Sequence, residues 1–401
     1  HDADLRPVIP QEMNHLREKI SGLTSLGFPA GLASLLVSTN SNIIAQRVWI
    51  VDNSGSMSTP YGQNLLVGKR LTDQYTNKVT RWEELKSCLS SHIDILSLLE
   101  VKTEFRLLNY PGSLIGRQHF TIASDESSVE GKDVVIAKNI LNRIIPDGTT
   151  PLNAHLTKIH EDIFRISPKL LEERQVVSIC IATDGLPTDE TGYTNERTCE
   201  KFVNTLKLFQ ELPVWISIKL CTNESEVVSF YSHVATSLAS VISIVLHDNF
   251  ITEAKEVYQS NPWLTYAVPL HRARELCMPE ACFNLMDRRL LSHAELQEFI
   301  SCLFFGLSAR RVHNPATEWE KFFIQVEGLV KEERNQWNPI TRCETPWIDL
   351  DMLKNIYLTD KNGKIGKIDQ KEKVIVPKKN APVEVACKMA CCNCSSSCTI
   401  S

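Results

Sequence analysis

Two apolar runs in this chain each close on an aspartate: RVWIVD ends at Asp52 and QVVSICIATD ends at Asp184. A short continuous apolar run reads as a strand covered on both faces. The carboxylate that follows it belongs where the strand leaves the sheet. Further strands are expected at 103–110, 116–123, 214–221 and 240–248, and helices at 81–99, 132–144, 151–166, 194–211 and 224–239. Thr80, with Glu83 three residues on, has the pattern of a capping box opening the first of these helices. Strands that alternate with helices of this length fold as α/β, a doubly wound, mostly parallel sheet covered on both faces. Ligands of such open sheets bind beyond the carboxyl ends of the strands, which is where Asp52 and Asp184 are expected.

The pattern changes on either side of this region. Residues 1–45 hold a helix around 11–23 and read as a helical lead-in that packs on the domain that follows, residues 46–250. Residues 251–357 carry apolar residues at helical spacing, with Ser292 as an N-cap and Trp263, Trp319, Trp337 and Trp347 as anchors of an α-helical appendage. Residues 358–401 read as a Lys-rich linker and a Cys-rich tail. TDKNGKIGKID is not a calcium loop, because its sixth position after Asp360 is Ile365 and its twelfth is Lys371.

A net charge of -5 gives no nucleic-acid footprint, and no apolar run is long enough to span a bilayer. The first residues, HDADLRPVIPQEMNHLREK, do not read as a secretory signal. Of the 13 cysteines, Cys88, Cys180, Cys199, Cys221, Cys277, Cys282, Cys302 and Cys343 are scattered, mostly among apolar neighbours. They read as small buried hydrophobes of a reducing compartment, so a cytoplasmic location is expected.

The turn after the first buried strand, DNSGSM, places a carboxylate and two hydroxyls at Asp52, Ser54 and Ser56. The second buried strand delivers Asp184 into ATDGLPTD, and the turn IIPDGTTPL offers Thr149 and Thr150 ahead of a helix. Carboxylates and hydroxyls are hard oxygen donors, a set that suits Mg²⁺. Few formal charges in contact with the ion would leave it electrophilic and ready for one more carboxylate from outside.

DNSGSM, GTTPL and ATDGLPTD, in this order across an alternating α/β pattern, resemble the metal-ion-dependent adhesion site, DxSxS…T…D, of the von Willebrand factor A domain. The resemblance covers about residues 46–250. It implies a Rossmann-like fold and a Mg²⁺ or Mn²⁺ site. Ser54 and Ser56 would be direct ligands, and Asp52 and Asp184 would act through ordered waters or directly. Aligning Thr-Pro-Leu selects Thr150 and leaves Thr149 where the family often has a glycine. The family's open metal position takes an Asp or Glu of a protein partner, so a protein-binding module is expected rather than an enzyme. Ser54-Gly-Ser56 is not a nucleophile elbow, and the phosphate-loop, dinucleotide and zinc-protease motifs are missing. His155 and His160 read as residues of the helix after Thr150, not as a base. Two other functions fit the same residues: a metal-stabilised scaffold working through the helical region, and a metal-assisted hydrolase.

The last four residues, Cys398-Thr-Ile-Ser401, fit a C-a-a-X prenylation signal, with Cys391, Cys392 and Cys394 placed for palmitoylation. Eight lysines against three acids over 361–388 would add attraction to an anionic leaflet. The tail resembles a Ras-type lipid anchor, which implies attachment to the cytosolic face of a membrane. A thiolate zinc knot is the alternative reading of the same cysteines.

Overall fold

The computed structural model describes residues 10–62, 79–124, 131–278 and 280–358. These fall into two compact units, one containing 43–249 and the other 10–42 with 250–358. The Lys-rich linker and the tail with Cys391, Cys392, Cys394 and Cys398 lie outside the described residues. Among the described residues, no helix is long and apolar enough to cross a membrane.

The first unit is α/β. Its six-stranded sheet is built from β1 (Ile44–Val51), β2 (Thr103–Leu107), β3 (His119–Ile122), β4 (Val176–Thr183), β5 (Val214–Leu220) and β6 (Ile244–His247). The order across the sheet is β3-β2-β1-β4-β5-β6. All neighbours pair in parallel except the edge strand β3, which runs antiparallel to β2. The chain therefore winds outward from β1 in one direction, then returns to add β4 on β1's other side. Every residue of β1 from Arg47 onward is buried, and so is every residue of β4 after Val176, as the continuous apolar runs require.

Alternation along β1 sends its side chains to opposite faces. Val48 and Ile50 join one core with residues of α5 (Leu152–Glu172), α6 (Glu196–Lys207) and α7 (Ser225–Ser237). Trp49 points the other way and meets His92 of α3 (Arg81–Leu99), with ring centroids 4.9 Å apart. The Thr80–Glu83 capping box that opens α3 is present in both directions. A fourth helix, α4 (Lys132–Arg143), lies between β3 and α5 in the chain. The strand expected at 240–248 is shorter, because Val241 and Ile242 still hydrogen-bond to the Leu238 carbonyl in the turn that closes α7.

The second unit is helical: α1 (Pro10–Ser25), α2 (Ala30–Asn42), α8 (Phe250–Ser260), α9 (Val268–Glu275), α10 (Cys282–Leu285), α11 (His293–Phe305), α12 (Trp319–Glu332) and α13 (Leu350–Tyr357). The amino-terminal helices, expected to pack on the domain that follows them, belong instead to the compact unit formed by 250–358. Its core is built around Trp263, stacked edge-on to Phe299, and Asn261, whose amide bonds to the carbonyls of Met286 and Arg289. Trp347 is buried as expected, whereas Trp319 and Trp337 are only half-buried. Periodicity places a tryptophan on a helix or turn but does not say that the residue faces inward. Ser292 caps α11 in a full capping box with Glu295. Seven of the eight scattered cysteines are buried, and Cys343 is exposed.

Candidate metal centre

Asp52 follows β1 directly, and its N–H still donates to the Ala182 carbonyl of β4 at 2.9 Å. It occupies the last rung between the two strands whose apolar runs end in acids. This is the point where the winding of the sheet reverses, and open α/β sheets leave a crevice there. Thr183 and Asp184 stand alongside at the end of β4, so both aspartates arrive at one sheet edge. Both are buried.

After Asp52 the chain turns through a short 3₁₀ segment, Gly55–Ser58, anchored by the fully buried Met57. Ser54 sits at the N-cap of this turn, yet its hydroxyl makes no cap bond. It lies instead 3.0 Å from Ser56 Oγ, and Ser56 donates to Asp184 Oδ1 at 2.8 Å. Asp52 Oδ1 accepts the Ser54 N–H at 2.9 Å, and its Oδ2 accepts the Thr183 hydroxyl at 2.6 Å. The two aspartates and two serines thus form one polar chain across the β1–β4 edge. Ser54 is buried and Ser56 exposed, so this chain opens to solvent at Ser56.

The threonine turn is tied to the same place by backbone bonds. Gly55 N–H donates to the Gly148 carbonyl at 3.2 Å, and Asp147 N–H donates to the Asn53 carbonyl at 2.9 Å. Asn53 and Asn109 exchange side chain–backbone bonds, and Asn109 brackets Thr149 by bonding to both its N–H and its carbonyl. Gly148 has φ +92°, and a Cβ there would fall 2.5 Å from Asn109 Oδ1. Only glycine lets the turn lie this close to Asn109. Thr149 turns its methyl toward Gly192, where a Cβ would come within 2.8 Å of it. Thr150 is buried, and its hydroxyl would stand 3.8 Å from a Cβ on Gly185, the residue after Asp184. Its N–H bonds to Thr188 Oγ1 at 3.0 Å.

Four further residues complete the site, and the sequence offered no local signal for them. Arg81, the first residue of α3, donates to Asp184 Oδ2 at 2.8 Å and to Glu224, the residue preceding α7. Thr183 holds Asp52, and Tyr231 donates to the Gly185 carbonyl at 2.9 Å. Each bridges segments far apart in the chain, a relation that no window of sequence contains. His155 is not part of the set: its Nε2 lies 3.0 Å from the Leu108 carbonyl, and burial holds its pKa below the ordinary value.

Electrostatics indicates what this arrangement could hold. Burial pushes the Asp52 carboxyl up to about 6, and the nearby Asp184 charge pushes in the same direction, against the hydrogen bonds from Ser54 and Thr183. Asp52 therefore bears a cost of burial that its own hydrogen bonds do not offset. The donor set is oxygen throughout, with hydroxyls at Ser54, Ser56 and Thr150 and carboxylates at Asp52 and Asp184. Such donors fit a hard divalent cation of the Mg²⁺ type rather than a thiophilic metal.

No family model matches the chain, and no curated protein compared with it matches either. Among solved structures, the PilB minor pilin from Streptococcus sanguinis is similar at 14% identity with a TM-score of 0.34. A mutant of the same pilin, with one aspartate replaced by alanine, is similar at 11% identity with a TM-score of 0.36. Both alignments span 52% of this chain and 57% of the pilin chain, so only about half of either protein is compared. Likenesses this slight carry no functional inference.

Proposed function

We propose that residues 46–250 are a von Willebrand factor A-type module with a Rossmann-like sheet, and that the site at the β1–β4 edge captures an acidic residue of a protein partner through Mg²⁺ or Mn²⁺. The observation that carries this reading is the polar chain Asp52–Ser54–Ser56–Asp184, assembled from two adjacent strand ends beside Thr150. Ser54, Ser56 and Thr150 would hold the metal through hydroxyl lone pairs, with Asp52 and Asp184 behind them. A bound divalent ion would supply a Lewis-acid position for one carboxylate oxygen from outside.

The protein's own residues prepare that position. A hydroxyl that gives a lone pair to a metal still has a proton that needs an acceptor. Ser56 already places its proton on Asp184 Oδ1. Thr183 places its proton on Asp52, so that carboxylate is oriented from the β4 side. Asn109 fixes Thr149, and with it the backbone that presents Thr150. Two tyrosines adjoin this framework: Tyr110 follows Asn109, and Tyr193 follows Gly192, which lies against Thr149. They are 60% and 70% exposed, respectively. Large exposed aromatics beside a polar centre are the side chains that interface hot spots favour.

The direct test is affinity capture from a lysate with the full chain, in Mg²⁺, in EDTA, and with Asp184→Ala in Mg²⁺. Proteins retained only by the wild type in Mg²⁺ are expected. The same set in all three conditions would sink the reading. Once a partner is in hand, Tyr193→Ala is expected to weaken its binding by about tenfold, the scale of an aromatic hot spot. Mn²⁺ affinity of that variant should stay at the wild-type value, because Tyr193 supplies none of the metal's donors.

A further inference from the structure

The chain places a cation of its own at this site. Arg81 is 7% exposed and bridges two carboxylates, Asp184 on the buried side and Glu224 on the solvent side. Its backbone is fixed as well: the N–H donates to the Thr59 carbonyl at 3.0 Å, and the Thr80–Glu83 capping box sets the start of α3. The guanidinium therefore has little freedom to leave. It stays charged at every relevant pH, and its planar fork suits two acceptors at once.

This pairing alters what Asp184 can do. One of its oxygens holds the Ser56 proton and the other holds Arg81, so neither oxygen lacks a donor. The charge sum changes too. Two carboxylates and a divalent ion would cancel, which leaves no electrostatic demand for another anion. With Arg81 included, the same set carries one net positive charge. Glu224 is 61% exposed, so solvent screens its opposing charge far more than it screens Asp184.

Building on the metal reading above, we infer that Arg81 is a positioning residue that engages Asp184 and keeps the centre electron-poor, so that it grips metal weakly alone and draws a carboxylate from outside. A simple strut joining α3, β4 and α7 would act differently. Loss of a strut loosens the site and weakens both interactions. Loss of a charge-setting residue moves them in opposite directions.

The test uses Mn²⁺ as the metal and acetate as the carboxylate, on the full chain. Free Mn²⁺ is followed by electron paramagnetic resonance, and acetate by its displacement of water from bound Mn²⁺ in proton relaxation. Arg81→Gln is expected to bind Mn²⁺ about tenfold tighter and acetate about tenfold more weakly, the scale of one buried unit charge near the ion. Arg81→Lys keeps the charge and should return both values toward wild type. Glu224→Gln removes a competing anion without touching the core, and should shift both in the reverse sense by about threefold, a smaller effect because the group is exposed.

Weaker or unchanged Mn²⁺ binding in a folded Arg81→Gln protein would overturn the inference and leave the metal reading standing. So would a Glu224→Gln protein with unaltered affinities, which decides the matter if Arg81→Gln does not fold. A wild type that binds no Mn²⁺ at all would remove both.

Discussion

Lowering the pH from 7 to 4 in EDTA should stabilise the wild type relative to Asp52→Asn by about 2.5 kcal/mol. The figure is most of the full span of about 3 kcal/mol set by a folded-state pKa of about 6 against the ordinary 3.8, at about 1.4 kcal/mol per unit; the rest is reached below pH 4, as the unfolded carboxyl finishes taking up its own proton. The sign is fixed by proton binding. Between those two values the folded protein binds a proton that the unfolded chain does not, so stability falls as pH rises through the window. Above pH 6 Asp52 is ionised in both states, and the folded protein bears the full cost of a buried charge beside Asp184. Below about pH 4 that cost is gone. Asn has no such titration, yet it keeps the shape of the site. Its carbonyl can accept the Ser54 N–H, and its amide can donate to the Thr183 hydroxyl. Comparing the two proteins cancels the other carboxylates, including those whose pKa is lowered by partners, such as Asp162 beside Arg106.

A divalent metal should reverse the wild-type behaviour. It favours ionised Asp52, so saturating Mg²⁺ should flatten the difference curve and add stability at pH 7. At a hundredfold excess over Kd the gain is about 2.7 kcal/mol. Urea unfolding of both proteins at pH 4, 5, 6 and 7, with EDTA and with Mg²⁺, gives all the terms. Parallel curves in EDTA would mean that Asp52 is not under the strain its burial implies. A wild type indifferent to Mg²⁺ would mean that the strain is not there to receive a metal.

The parts of this site that could be read in the sequence are those set by local rules. Asp52 and Asp184 stand out because each closes a short continuous apolar run, the pattern of a strand covered on both faces. The capping box at Thr80 and the N-cap at Ser292 are patterns of a few residues, and both are present. The parts that could not be read are long-range. Arg81 reaches Asp184 across 103 positions, and Asn53 reaches Asn109 across 56. Arg81 looks like any first-turn helix residue until the fold brings β4 beside it. The threonine turn lies between these cases. Thr149 appeared to disturb a turn where glycine is usual, and the compensation is Gly192, distant in sequence, which leaves room for its methyl.

The helix α2 (Ala30–Asn42) is not marked off by the sequence within the helical lead-in, for a different reason. LGFPAGLASLLVSTN contains a proline and two glycines, and the helix it forms is buried on nearly every side. A helix without a polar face has no amphipathic signature. Pro29 in fact precedes its first turn and accepts the Ala33 N–H at 2.9 Å, a place where proline costs nothing.

Gly31→Ala should cost the helical unit about 4 kcal/mol or more, the range reserved for severe overpacking. The direction is what makes the substitution informative. By helix propensity alone, glycine to alanine inside a helix gains about 1 kcal/mol. At Gly31, however, a Cβ would fall 2.2 Å from the carbonyl carbon of Phe304, 2.4 Å from the Phe305 nitrogen and 2.7 Å from the Gly306 nitrogen. These are backbone atoms at the end of α11, and no side-chain rotation can move them aside. The contact is mutual, since a Cβ on Gly306 would meet the Gly31 carbonyl oxygen at 2.7 Å, and Gly306 has φ +63°. Two glycines thus let α2 and α11 approach to backbone contact, which joins residues 10–42 to 250–358 in one core. Alanine would force the helices apart and expose Leu32, Leu35 and Leu36, all fully buried. Urea unfolding and limited proteolysis of the full chain would report the loss, with early cleavage within residues 10–42. A variant as stable as wild type, or more so, would mean that α2 does not meet α11 through Gly31, and that propensity rather than packing governs this helix.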